Sequence, residues 1–571
     1  MSFSNLKKYA EIRRNAQAKT PIKNPKQDLY QKPCAVVADY RFGLRKGTSK
    51  FPNPVEAEPI FNYTLRFGQM GLMTEVRLRR PACAVVASYK FGFRKRMKWS
   101  PQIKNLFTLL SVLIVIDAAS AEWSSSATEN LPLCTAQNEQ HFPALVTDGQ
   151  GGAIVAWSDA RHANRDIFAQ RISATGDVQW EVDGIPICDL PSSQSWPLIV
   201  NDNEGGAILV WGDTRHGNQD SYAQRIDGNG NKVWDPEGIP VCTHPTLQDD
   251  LNAIADGKGG VIVVWEDWRN GNQDIYAQRI DSAGNPLWEA NGVPVYRGNG
   301  DQYDPVLVAD GQGGAIFAWW DISTPDWNIF AQRLSAEGHQ MWDSAEEPVP
   351  VCTATGNQGA PVAVNDASGG VFFVWSDYRN DPNFYTTAQL YAQRINAEGN
   401  ALWEKDGIPI CELSVNQQQP YGIPDGSGGF IVVWWDERDI FADIYAQRIN
   451  GNGEALWNDE NAQFQKGGMP VCTGAGVQRL PQIVSIEKAG ETIVYWLDYR
   501  EDFGDSTEDA IYAQRLDADG KPLWEINGIP VCHAPKEQIT PQAVFTDDGA
   551  AIVVWSDARG QDYDIYIQRI P

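Results

Sequence analysis

From residue 130 onward the chain alternates short apolar runs with polar turns and never settles into the 3.6-residue period of a helix. The stretch Gly259 to Val295 displays the unit. Val261 to Asp267 is β-branched and aromatic, a composition that fits a pleated surface, and predicts a strand. Asn270-Gly271-Asn272 supplies residues that tolerate positive φ, so the chain turns as a hairpin into Asp274 to Ile280. Ser282-Ala283-Gly284-Asn285 turns it again, toward a strand at Leu287 to Val295. A short strand opened by proline, Pro305 to Val308 in the next copy, ends at the turn Asp310-Gly311-Gln312-Gly313-Gly314. Each unit is thus four antiparallel strands. Ile262, Val263, Val264 and Trp265 make both faces of the second strand apolar, which predicts cover on both sides by neighbouring sheets.

The unit repeats eight times. Its anchor tryptophans are Trp157, Trp211, Trp265, Trp319, Trp375, Trp434, Trp496 and Trp555, spaced 54, 54, 54, 56, 59, 62 and 59 residues apart. Four-stranded sheets packed face to face around an axis are propeller blades, so the expected fold is all-β, an eight-bladed β-propeller with four-stranded antiparallel blades. The eighth unit stops after Asp564 to Ile570, without the strand that should follow. Trp123 and Leu131-Pro132-Leu133-Cys134 match Trp288 and Val293-Pro294-Val295-Tyr296, so residues 122–134 are expected to supply the outer strand of the last blade and close the ring.

The order strand, acidic corner, glycine hairpin and Asp-Ile-Tyr strand, carried by Trp265-Glu266-Asp267-Trp268-Arg269-Asn270-Gly271-Asn272-Gln273-Asp274-Ile275-Tyr276 and its copies, resembles TolB-type and WD40-like bacterial propeller repeats. That resemblance implies a propeller and leaves activity open, since propellers host enzymes, lectins and scaffolds alike.

Eight internal copies separate frame from site. A position identical in every blade serves the blade, whereas a binding site on a pseudo-symmetric ring breaks the symmetry. The eight tryptophans therefore read as buried frame. Asp267, Arg269, Asp274 and Arg279 recur as well, and are expected in partly buried ion pairs that fix blade register. The fourth unit, with Asp321-Ile322-Ser323, lacks the first arginine and is expected to be distorted. Cys134, Cys188, Cys242, Cys352, Cys411, Cys472 and Cys532 hold one repeat position, with Tyr296 standing in once; they lie on separate blades, too far apart to bridge, and read as small buried apolar side chains. Six residues after each comes glutamine, namely Gln140, Gln194, Gln248, Gln302, Gln358, Gln417, Gln478 and Gln538. These amides are expected to satisfy backbone groups at the crossover between blades.

Variation gathers in the hairpin after the acidic corner and in the pair of residues after each glutamine, two loop sets that emerge on one face. The hairpins contribute Trp327, Tyr385, Phe441 and Phe503, and the crossovers His141, Phe142, Trp196, Asp249, Asp250, Tyr303, Asp304 and Tyr421. Function concentrates in loops on a rigid frame, so any ligand is expected there, on Trp196, Asp249, Asp250, Tyr303, Asp304, Trp327, Tyr385, Tyr421, Phe441 and Phe503.

Residues 1–96 stand outside the repeat and are basic, with a duplicated segment at Cys34 to Lys46 and Cys83 to Lys95; they read as a mis-assigned or disordered upstream extension. Residues 97–121 have the layout of a signal peptide, with Met97-Lys98 at the start, apolar Leu106 to Ile116, and Ala119-Ser120-Ala121. The alternative is a disordered tail before a single membrane anchor. Residues 122–571 then form one propeller domain, exported to a periplasmic, cell-surface or extracellular location. Residues 1–121 hold 22 Lys+Arg and 7 Asp+Glu, leaving 25 against 66 in the remainder, a net charge near −41. Such a surface disfavours nucleic acid and anionic lipid. The expected protein is a monomer without membrane insertion of its mature domain, without cofactor or metal, and without an assigned catalytic residue.

The preferred function is a binding or scaffold propeller recognising an extracellular protein or glycan on its loop face. The alternative is a carbohydrate-active enzyme, a glycosidase or lyase, with Asp249, Asp250 and Asp304 near the channel as the candidate carboxylates. Calcium binding by the acidic loop Asp502 to Asp509 is weaker, because the regular Asp-x-Asp spacing is absent.

Overall fold

The structure is a computed structural model. It describes residues 62–66, 73–77, 123–124, 126–342, 347–381, 386–439, 441–457, 467–486, 490–500 and 509–571. Tyr385, Phe503, the loop Asp502 to Glu508, the segment 97–121 and most of 1–96 lie outside the described residues. Within the unit spanning residues 10–117, Asn62–Arg66 pairs with Met73–Arg77 as an antiparallel hairpin.

The larger unit is the eight-bladed propeller. Blades 1 to 7 span residues 140–188, 194–242, 248–296, 302–352, 358–409, 417–472 and 478–532, each with its four strands paired in sequence order. Blade 8 takes three strands from residues 538–570 and its fourth from Leu131–Cys134. Leu131 stands opposite Ile567, Pro132 opposite Tyr566 and Cys134 opposite Ile565, so the ring is closed by the front of the domain. Each innermost strand packs against the next, and the eighth packs against the first.

In blade 3 the second and third strands run Val261–Asp267 and Asp274–Ile280, as the sequence pattern predicts. The outer strand is shorter, Val293–Tyr296, because Gly292 bends the chain at φ +84° over the anchor tryptophan, where a Cβ would meet the Trp265 ring at 2.5 Å. The innermost strand is longer and begins at the glutamine, Gln302–Ala309 in blade 4 rather than at Pro305. A bulge two residues past the glutamine absorbs the extra length: Asp304 sits at φ +50° and the register slips between Tyr303 and Val306.

All seven residues of the second strand are buried in blades 1 to 6 and in blade 8. The apolar cores lie between blades. One such core packs Val210 and Ala223 of blade 2 against Val263 and Trp265 of blade 3.

At seven of the eight blade corners the indole Nε1 of the anchor donates to the aspartate two residues on, as Trp265 does to Asp267 at 2.8 Å; the Trp319 indole of blade 4 makes no such bond. Arg269 grips the same carboxylate through Nε and one terminal nitrogen at 2.8 and 2.6 Å, and its guanidinium lies 3.8 Å above the Tyr276 ring. The same arginine donates to the Asn291 carbonyl of its own blade and to Cys242 Sγ of the preceding one. On the opposite face Arg279 pairs with Asp256 and donates to the Ala336 carbonyl of the next blade, which also accepts from Trp288 Nε1. Trp123 repeats that last contact across the closure by donating to Ala174. The expected ion pairs are therefore Asp267 with Arg269 and Asp256 with Arg279. Asp274 is held instead by the amides of Asn270 and Asn272.

Blade 4 is not distorted by its missing arginine; its ladder is complete. The partner position on blade 3 carries Tyr296 in place of the cysteine that elsewhere accepts from the arginine, and that ring stacks on Trp319 at 5.3 Å. Asp321 accepts instead from Gln302 at 2.9 Å.

The seven cysteines are buried and free. Desolvation pushes Cys188, Cys242, Cys352, Cys472 and Cys532 up to about 12. Alkylation of the native protein followed by peptide mass mapping is expected to leave all seven unmodified, with labelling only after unfolding. Removing residues 122–134 strips the outer strand from blade 8 and exposes the Ile565 and Ile567 side of its neighbour. The melting temperature is expected to fall by at least ~2 °C, since burying one leucine such as Leu133 is worth about 1.5–3 kcal/mol; an unchanged value contradicts closure.

Candidate functional site

Among the described residues, seven backbone hydrogen bonds bring the two variable loop sets together. At successive junctions the crossover glutamine N–H donates to a carbonyl of the preceding blade's hairpin, as Gln248 does to Gln219, Gln302 to Gln273 and Gln358 to Trp327. The glutamine side chains act as the frame reading expects. Gln248 Nε2 donates to the His244 and Thr246 carbonyls, and Gln302 Nε2 to the Gly300 carbonyl, tying down the crossover.

The bulge turns the two residues after each glutamine into a rim at the start of the innermost strand. Around the ring these pairs are His141-Phe142, Ser195-Trp196, Asp249-Asp250, Tyr303-Asp304, Gly359-Ala360, Gln418-Gln419, Arg479-Leu480 and Ile539-Thr540. The second member takes a positive φ in all eight, between 49° and 61°. Acids and aromatic rings crowd blades 1 to 4. Tyr421 falls outside this rim: Pro420 carries the strand inward past the bulge, and the tyrosine packs into the core between blades 6 and 7. Phe441 is exposed on the blade 6 hairpin.

Two aromatic groups flank the acids. Phe142 and Trp196 lie 3.9 Å apart, and His141 lies 4.6 Å from Tyr563 of blade 8. Burial and the nearby Arg165 charge hold the His141 pKa below the usual imidazole value, despite Glu139. On the other side Tyr303, Trp320 and Trp327 form a continuous stack, with centroids 4.5 and 4.7 Å apart.

Between them, carboxylate oxygens of Asp250, Glu266 and Asp304 lie within 4.8 Å of one another, and all three residues are buried. Glu266 comes from the second strand of blade 3, where it stands opposite Asp249. Its Oε1 accepts from the Asp304 backbone N–H at 2.9 Å and its Oε2 from Gln273 at 2.5 Å. Trp320 Nε1 donates to Asp304 Oδ2 at 2.8 Å, and Gln219 donates to Asp249 Oδ1 at 2.9 Å. Neither oxygen of Asp250 is met by an amide, hydroxyl, indole or cationic donor; its polar neighbours are the carboxyls of Asp304 and Glu266. Two carboxylates at such a separation repel by about 3.5 kcal/mol at an effective dielectric of ~20. Desolvation, with Asp304 and Glu266 adding to it, pushes Asp250 well above the usual carboxylate range. Desolvation also raises Glu266 to about 8.

Asp249, Asp250 and Asp304 were legible as candidates from the loop pattern. Glu266 and Trp320 were not, because they sit inside a strand whose inward residues belong to the core. Their signal is the aligned column after each anchor tryptophan, which reads Ser158, Gly212, Glu266, Trp320, Ser376, Trp435, Leu497 and Ser556. Only Glu266 is charged. Its frame duty is small, since Ser158 Oγ accepts the Trp196 N–H in the same way.

A groove of about 500 Å³ opens on the opposite face beside Asp256, Lys258, Arg279 and Leu287. Its charged pair, Asp256 with Arg279, is the blade staple found around the ring.

No family model matches this chain, and no curated protein matches it. The kinship with TolB-type or WD40-like repeats that the motif suggests is therefore not shown, while the propeller itself is. Solved structures resemble the fold at low identity. A polysaccharide lyase, an ulvan lyase bound to a GlcA–Rha3S saccharide, aligns over 79% of this chain and 96% of its own, at 12% identity and a TM-score of 0.41. The α-L-arabinanase of Penicillium chrysogenum aligns over 55% and 90%, at 14% identity and 0.30. A puromycin-hydrolysing peptidase of Mycobacterium tuberculosis aligns over 76% and 61%, at 12% identity and 0.39. Likeness at this level carries no argument about chemistry, and the architecture rests on the strand pairing above.

On the same loop face, the aspartate that opens the third strand is capped in blades 1 to 3 by an asparagine two residues earlier, as Asn164 caps Asp166 at 2.8 Å. Blade 6 has Phe441 in that place. Burial, then Asp439 and Asp436, raise Asp443 to about 7. The unfolded aspartate titrates near 3.8, so the folded state holds the extra proton between these values and stability falls as pH rises through that window. Asp443→Asn is expected to raise the melting temperature at pH 8 and to leave it unchanged at pH 3.5.

Proposed function

We propose that this propeller is directed at carbohydrate, taking an extracellular saccharide along the arc of its loop face from blade 8 to blade 4. One observation carries the reading: the aromatic and acidic members of the crossover pairs fall on one continuous stretch of the rim, blades 1 to 4. Phe142, Trp196, Tyr303 and Trp327 are half-buried there, and Asp249 stands half-buried among them. Ring faces suit the apolar C–H faces of sugars, and carboxylates accept from their hydroxyls, so a rim of both types fits a polyhydroxylated ligand better than an apolar peptide. The net charge near −41 of residues 122–571 favours a neutral or cationic glycan over a polyanionic one.

Cleavage of that glycan is the second reading, favoured by the convergence of Asp249, Asp250, Glu266 and Asp304. Against it, a pair of glycosidase carboxyls must reach the sugar from opposite sides, about 5–9.5 Å apart, whereas the buried trio is tighter and turned inward. Recognition is therefore the function placed first.

Binding to a panel of immobilised neutral and basic polysaccharides, followed by titration of the best ligand, tests both readings. Trp196→Ala is expected to weaken affinity at least ~10-fold, about 1.4 kcal/mol, and Gln418→Ala on blade 6, on the far side of the rim, to leave it unchanged. Equal losses in both variants, or no saccharide retained at all, contradict the proposal. Appearance of new reducing ends or unsaturated uronic acid in the same mixtures selects cleavage over recognition.

A further inference from the structure

We propose that Asp250, Glu266 and Asp304 hold a hard divalent cation, with Ca2+ the fitting species, at the junction of blades 3 and 4 beneath the loop face. This goes beyond saccharide recognition and does not depend on it.

Three observations carry the assignment. The first is geometry: one oxygen from each residue lies within 4.8 Å of the other two. Two oxygens bound to one Ca2+ at about 2.3–2.6 Å stand at most ~5 Å apart, so a single ion satisfies all three. The second is Asp250 itself. It is 6% exposed and aimed at the other two carboxylates; no amide, hydroxyl, indole or cationic group donates to either oxygen, and the polar groups it meets are the carboxyls of Asp304 and Glu266. A buried carboxylate in that position is costly unless a cation or a proton compensates it. The neighbours that act on its charge are themselves acids: Asp304, Glu266 and Asp249.

The third is that the frame does not ask for these acids. At the Asp250 position other blades place Phe142, Trp196, Ala360, Gln419, Leu480 and Thr540 on the same positive-φ bulge. At the Glu266 position a serine hydroxyl does the backbone-capping work in blade 1. Glu266 and Asp304 are meanwhile oriented by bonds on their outer sides, from Gln273, the Asp304 N–H and Trp320. Such outer bonds fix a ligand's direction toward the centre. A donor set of carboxylate oxygen alone, without histidine or cysteine, selects Ca2+ or Mg2+ over Zn2+. Three carboxylates converging in a buried site favour Ca2+, because Mg2+ retains several waters.

The experiment uses the full chain after treatment with EGTA. Added Ca2+ at 100-fold excess over its Kd is expected to raise the melting temperature by ~2 °C or more, with about one ion bound per chain by calorimetric titration. Tb3+ is expected to give luminescence sensitised by the Trp320 indole and displaced by Ca2+. Asp250→Asn should lose the Ca2+-dependent shift and at least ~10-fold of the Tb3+ affinity; Glu266→Gln, as a second variant should the first not fold, should do the same. Three results overturn the proposal. These are no cation-dependent shift or luminescence in the parent protein, which assigns the trio to a shared proton; a shift retained in both variants, which puts the ion elsewhere; and stabilisation by Mg2+ but not Ca2+. No saccharide enters the assay, so its failure is separate from failure of the glycan reading.

Discussion

A buried carboxylate at each blade corner is the constraint on which the rest of the structure depends. Asp159, Asp213, Asp267, Asp377, Asp436, Asp498 and Asp557 are at most 1% exposed, and each takes an indole N–H from its own anchor and a guanidinium from the arginine two residues on. An aspartate so placed is costly unless donors compensate it, and blade 4, which lacks both of these, supplies Gln302 and the Ser323 N–H to Asp321 instead. The arginine in turn needs its aromatic floor, an outer-turn carbonyl and the sulfur of the preceding blade. One ionic contact thereby fixes the tryptophan rotamer, the hairpin angle and the seating of the neighbouring sheet. Blade 4 shows what the constraint amounts to: once Ser323 replaces the arginine, Tyr296 replaces the cysteine and Gln302 turns to Asp321, so the site is repacked rather than left open.

That repeated corner leaves the loop face free to differ from blade to blade. Bulge, crossover glutamine and hairpin hydrogen bond recur with little change, so the two residues after each glutamine are presented at fixed positions whatever their identity. Phenylalanine, tryptophan and aspartate all occupy the same left-handed backbone position. The rim is a mount for side chains, and its acidic and aromatic crossover pairs gather on blades 1 to 4.

The frame was legible in the sequence because it is periodic. Eight tryptophans, the paired aspartate and arginine, and the spacing from cysteine to glutamine each recur, and every one has the buried or capping role its recurrence implies. Closure was legible too, since Trp123 and Leu131 to Cys134 supply what the last unit lacks. The site was legible only in part. Asp250 and Asp304 stand in loops that vary, whereas Glu266 lies in a strand whose other members are core, and nothing local shows that it turns toward the next blade's bulge. Tyr421 misled for the reverse reason: it lies near a crossover in sequence, but two residues beyond the bulge the strand has already entered the core. Blade 4 misled because its compensation sits on blade 3, at a position only the packed ring brings near Trp319.

Transplanting the blade 4 solution into blade 3 tests the central constraint most directly, by chemical denaturation of Arg269→Ser alone and together with Cys242→Tyr. The account predicts that the single change lowers stability by about 3–5 kcal/mol, the cost of leaving a buried carboxylate without its partner, and that the added tyrosine restores a large part of the loss. A single change without effect, or a double variant no more stable than the single one, contradicts it.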